Sequence, residues 1–67
     1  MTTITINGVN RQITSATTVA TLIEEMGLAG KRIALERNGE IVPRSTFGIQ
    51  KLENGDKLEV VVAVGGG

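Results

Sequence analysis

The sequence predicts an α+β fold, a mixed β-sheet with one main helix packed on one face, and three observations carry that prediction. Apolar residues recur at period two in the Ile4, Arg32-to-Glu36 and Leu58 stretches, while one stretch alone, Val19 to Met26, adopts helical spacing. Between these stretches lie three Asn-Gly dipeptides, Asn7-Gly8, Asn38-Gly39 and Asn54-Gly55. Asn-Gly is the pair most typical of a tight turn between strands.

Thr3-Ile4-Thr5-Ile6 alternates polar and apolar, and after the Asn7-Gly8 turn Asn10 to Ile13 returns antiparallel. The hydroxyl-rich run Thr14 to Thr18 competes with regular structure but can cap a helix, and Val19, Leu22, Ile23 and Met26 then make one apolar helical face. Gly27 stands where a left-handed C-terminal cap is expected, with Leu28 able to fold back on the helix. Arg32 to Glu36 resumes strand alternation, Asn38-Gly39 turns the chain, and Glu40-Ile41-Val42 runs until Pro43 removes a ladder donor. Phe47, Ile49 and Leu52 are expected to plug an open end of the core from a loop or single helical turn. After Asn54-Gly55-Asp56, Lys57 to Val64 is the longest and most β-forming segment.

A final strand inserted beside the first would be parallel to it and central, under one helix. That arrangement is the β-grasp, or ubiquitin-like, architecture. A ferredoxin-like split needs a second helix of comparable length, and Thr46 to Leu52 is too short and interrupted to supply it. The expected organisation is one β-grasp domain over residues 1–64 and a flexible glycine tail over 65–67.

Composition narrows the function. A domain of 67 residues has little room for an enclosed active site. Phe47 is the only aromatic residue, which argues against base stacking and aromatic cages. Seven Lys and Arg balance seven Asp and Glu, so the field that draws nucleic acid or anionic membrane is lacking. No apolar run approaches the roughly 20 residues of a membrane span, and the first residues resemble no signal, so a cytoplasmic location is expected. The absence of cysteine and histidine removes the thiol nucleophile, the iron-sulfur cluster, and the commonest metal ligand and general base. No metal and no bound cofactor are expected, and any sulfur or acyl chemistry must come from a partner.

The charged residues offer no catalytic pair. Glu24 and Glu25 are adjacent on a helix and point apart; Glu36 and Glu40 flank a turn and could approach one another, but nothing nearby would tune them. Lys51 and Lys57 have no desolvating pocket to make them nucleophiles. Gly65-Gly66-Gly67 is no phosphate loop, because no helix follows it. Read instead as an arm, these three residues reach at most ~10 Å and, lacking side chains, fit a narrow channel. A carboxylate on Gly67 would be ionised at neutral pH and a poor electrophile, so sulfur transfer or conjugation would require prior activation, for example as a mixed anhydride with AMP. On this reading the protein is a substrate and carrier, not an enzyme; a frayed end is the alternative. Alternation also leaves Val61 and Ala63 on the sheet face away from the helix, either as a docking surface for the adenylating enzyme or as scattered surface hydrophobes.

The whole chain resembles ThiS, the sulfur-carrier family of thiamine biosynthesis. The resemblance lies in Ile4-Thr5-Ile6-Asn7-Gly8, Val19-Ala20-Thr21-Leu22, the run Ala34 to Ser45, Asn54 to Val61 and the glycine end. The Glu-x-Asn-x-x-x-x-Pro-Arg stretch from Glu36 to Arg44 is its most specific part, since a terminal Gly-Gly is shared with ubiquitin and with the molybdopterin synthase small subunit. The resemblance implies that an E1-like, ThiF-type enzyme uses ATP to adenylate the Gly67 carboxylate. It further implies that a cysteine desulfurase persulfide supplies sulfur, and that the resulting thiocarboxylate serves a ThiG-type thiazole synthase. The family's final glycine pair maps onto Gly66 and Gly67, while Gly65 contributes flexibility. A molybdopterin-synthase-type small subunit and a ubiquitin-like interaction module with an inert tail are the alternatives.

Overall fold

In the computed structural model, which describes residues 2–63, five strands form one sheet in the order β2-β1-β5-β3-β4. They are β1 (Thr2–Ile6), β2 (Val9–Ile13), β3 (Ile33–Arg37), β4 (Glu40–Ile41) and β5 (Lys57–Val62). The helix α1 (Val19–Glu25) lies between β2 and β3 in sequence, and a single 3₁₀ turn, Arg44–Thr46, follows β4. The two hairpins are antiparallel, and β5 inserts between them, parallel to β1 (Thr5 opposite Lys57) and antiparallel to β3 (Leu35 opposite Val60). This is the β-grasp topology.

Local chemistry explains each boundary. Both hairpins turn on Asn-Gly with φ positive at each central residue, 50° and 83° at Asn7 and Gly8, 53° and 86° at Asn38 and Gly39. Such turns match the twist of the strands they join. At the start of α1, Val19 and Ala20 donate their N–H groups to the carbonyls of Gln50 and Phe47, and Thr21 N–H is capped by Thr18 Oγ1 at 3.2 Å. The first three otherwise unpaired helix donors are thus satisfied, two of them by the irregular segment after the 3₁₀ turn. The helix ends as expected. Gly27, at φ 74°, donates to Glu24 C=O and Leu28 donates to Ile23 C=O, a paired closure that brings Leu28 back onto the core.

The core joins Val19, Leu22 and Ile23 of the helix to Ile4, Ile6, Ile13, Leu35, Leu58 and Val60 of the sheet, with Met26 packed at the edge. Two expectations are corrected here. Leu52 is buried and Phe47 partly so, but Ile49 is 77% exposed and plugs nothing, whereas Val42 is buried in the core. The backbone accounts for this, because Ile49 and Gln50 both donate to Thr46 C=O in a tight turn that points residue 49 outward. Glu36 and Glu40 do not approach one another either. Glu36 is opposite Ile41 and Glu40 opposite Arg37, which puts the two glutamates on opposite sheet faces.

Asp56, which reads as an ordinary turn residue in the sequence, is 5% exposed and joins the two halves of the sheet. It accepts hydrogen bonds from Arg37 Nε at 2.7 Å, Glu53 N–H at 2.8 Å and Asn38 Nδ2 at 3.1 Å. Burial pushes its pKa up, but the Arg37, Glu53 and Asn38 hydrogen bonds and the Arg37 charge outweigh it and hold the carboxyl below its ordinary value of 3.8. A carboxylate with a lowered folded-state pKa contributes stability above its unfolded pKa and loses it as pH falls through the folded one. Asp56→Asn is therefore expected to cost about 1–3 kcal/mol at neutral pH. In urea titrations from pH 7 down, its deficit against wild type should shrink below the ordinary value of 3.8. A deficit independent of pH would assign Asp56 a packing role only.

Candidate functional site

The candidate site has two parts, the end of β5 and the sheet face opposite α1. β5 lies in the sheet interior, paired with β3 along residues 58–62 and with β1 at Lys57 and Leu58. On the β1 side the pairing begins before the strand does. Thr3 N–H donates to Asn54 Oδ1 at 2.9 Å, Gly55 donates to Thr3 C=O and Thr5 donates to Asp56 C=O. It ends at Asn7, whose N–H donates to Leu58 C=O. The Asn7 side chain then accepts from Val60 N–H at 2.8 Å and donates to Val60 C=O at 3.1 Å. One asparagine thus closes the hairpin and supplies a further rung to β5. Sequence reading identified only the first of these roles.

Of the residues singled out in the sequence, Val61 is 63% exposed and Ala63 is exposed, both on the face away from the helix. Register adds neighbours that sequence spacing could not reveal: Ala34 lies opposite Val61, Glu36 opposite Glu59, and Ile41 opposite Glu36. Val61, Ala34 and Ile41 give this face an apolar component, and the exposed Glu36 and Glu59 give it a negative one. Like charges directly opposite one another weaken a sheet. Among the described residues, neither glutamate forms an ion pair. Glu24 and Glu25 are exposed on α1, as expected, and Glu25 faces Arg11 at 3.6 Å. Lys51 and Lys57 are exposed.

Gly65, Gly66 and Gly67 lie outside the described residues, as does Val64. Among the described residues, no three metal-capable side chains come together and no helix is long and apolar enough to cross a membrane.

Comparison with known proteins gives a consistent picture. The ThiS family model matches residues 4–67. The chain is 44% identical over 62 residues to a thiazole synthase of Paramagnetospirillum magneticum and 38% identical over 62 residues to one of Magnetococcus marinus. In each case 92% of the chain is aligned, and it spans only 19% of the longer protein. Among solved structures, the crystal structure of the thiamine biosynthesis protein ThiS from Geobacter metallireducens superposes with a TM-score of 0.80 at 26% identity, covering 97% of this chain and 99% of that one. The solution structure of a thiamine biosynthesis protein from the same organism gives 0.75 at 28% identity, covering 97% and 87%.

Proposed function

The chain belongs to the ThiS family, and we propose that it carries sulfur on a Gly67 carboxylate for assembly of the thiamine thiazole. The family match, which runs through Gly67, supports this most directly. The thiazole synthases of the two bacteria, each with a segment similar to this chain, point to the same pathway and favour a ThiG-type synthase as recipient over the molybdopterin alternative.

The chemistry follows from the carboxylate. One of its oxygens attacks the α-phosphorus of ATP, pyrophosphate leaves, and the product is an acyl adenylate in which AMP is a good leaving group. The terminal sulfur of a persulfide then attacks the acyl carbon and expels AMP, giving an acyl disulfide. A thiol reductant cleaves its S–S bond with two electrons and leaves the thiocarboxylate. Beyond that carboxylate, no group of the chain is assigned a role as base, nucleophile or metal ligand in these steps. Its part is to present a terminus without side chains, while a ThiF-type adenylating enzyme, ATP and a cysteine desulfurase supply the rest.

Docking must hold the arm in register, and the sheet face of Val61, Ala34 and Ile41, flanked by Glu36 and Glu59, is the surface assigned to the adenylating enzyme. Its negative charge suits a basic partner surface. Val61→Asp places a third carboxylate in the apolar part of that face and is expected to weaken binding at least tenfold without lowering the melting temperature by more than a few degrees. Calorimetric titration with the adenylating enzyme checks this, and undiminished affinity would move docking elsewhere. The function itself is tested by ATP-pyrophosphate exchange: exchange that depends on the chain supports adenylation, and its absence opposes it.

A further inference from the structure

β5 is longer than its neighbour. Its pairing with β3 places the N–H and C=O of Val61 and Ala63 toward β3, as the bond from Ala63 N–H to Arg32 C=O shows. Leu58, Val60 and Val62 therefore direct theirs to the β1 side. Leu58 C=O is taken by Asn7 N–H, and both Val60 groups are taken by the Asn7 side chain. The next rung, Val62, falls beyond the end of β1, which turns away at Asn7-Gly8. No described residue hydrogen-bonds its N–H or C=O on that side, and Val62 is 40% exposed. On the helix side of the same turn lies a recess of about 340 Å³ lined by Ile6, Asn7, Val9, Asn10, Arg11 and Met26, with Val9 largely exposed at its rim.

An open rung in an otherwise paired strand selects its occupant by chemistry. A donor and an acceptor on one residue, in strand geometry, are matched by another extended backbone. We propose that an extended segment of thiazole synthase adds to the β1 side of β5 at Val62, placing apolar side chains against Val9 and Met26, and so aligns residues 64–67 with the synthase active site. This rests on the sulfur-carrier reading, in which the residues directly following Val62 enter that partner. The Asn7 bracket sets where the added strand begins, because it occupies the preceding rung and leaves the next one open.

Amide exchange measured by NMR, with and without saturating thiazole synthase from the same organism, tests the proposal. The Val60 amide, already bonded to Asn7, should be protected in both states and serves as the internal reference. The Val62 amide should exchange readily in the free chain and slow at least tenfold in the complex. A chemically synthesised chain with an ester in place of the Val62 amide, lacking that donor, should bind the synthase about 2- to 10-fold more weakly, the worth of one hydrogen bond. Binding of the unmodified chain without Val62 protection, or an ester that binds at full affinity, would overturn strand addition and leave the sulfur-carrier reading standing. Failure of the unmodified chain to bind the synthase would overturn both.

Discussion

Deletion of Gly67 is expected to reduce adenylation at least about a hundredfold while leaving the fold unchanged. The deletion withdraws the carboxylate by ~3.5 Å, and a misplacement of about 1 Å at a reacting atom already costs on the order of 10²-fold in rate. Appending one residue should be as damaging, since the carboxylate then overshoots the α-phosphate. Gly66→Val tests the other requirement, because it keeps the length and adds a β-branched side chain where a bare backbone must thread a channel. None of these changes touches the core cluster, which extends from Ile4 to Val60, so melting should shift by less than the equivalent of about 0.5 kcal/mol. Pyrophosphate exchange beside thermal melts separates the two effects. Full exchange by the shortened chain would reduce the terminus to an inert end.

The second large effect concerns the fold itself. Leu22 is fully buried, in the middle of the only α-helix among the described residues, and Leu22→Ala should cost about 2–5 kcal/mol through lost burial and the cavity left behind. A domain of 67 residues holds roughly 3–10 kcal/mol in all, so this variant should be partly unfolded at ambient temperature or melt some 10 °C or more below wild type. Urea denaturation followed by circular dichroism measures it. A midpoint unchanged from wild type would mean that α1 does not cover the sheet.

The parts of this fold that were legible in the sequence are those governed by local periodicity. The four apolar positions from Val19 to Met26, the two Asn-Gly hairpin turns and the Gly27 cap each follow from a spacing or a backbone preference that neighbouring residues do not override. The central place of β5 follows from connection rules, and the exposure of Val61 and Ala63 from strand alternation. What escaped depends on register between distant segments. Asp56 looks like any turn aspartate until β5 brings it beneath Arg37 and Asn38. The neighbours of Val61 on the sheet face away from the helix are fixed by pairing with β3, and Glu36 and Glu40 separate because a two-residue turn sets their parity. The second role of Asn7 was hidden for the same reason, as nothing near position 7 indicates that Val60 will lie within reach. Gly65, Gly66 and Gly67 lie outside the described residues, and the case for them is chemical: under the proposed sulfur-carrier function, a terminus to be activated and threaded is best made of glycine.

The central claim, that sulfur is carried on the Gly67 carboxylate, is tested most directly by intact-mass spectrometry of the chain purified from thiamine-starved cells of its own organism, followed by fragmentation to place any change. The account predicts a population in which one oxygen of the Gly67 carboxylate is replaced by sulfur, and which reverts to the unmodified mass when thiazole synthase and its substrates are supplied. A chain that remains entirely unmodified under starvation, with its adenylating enzyme and cysteine desulfurase both present, would contradict it.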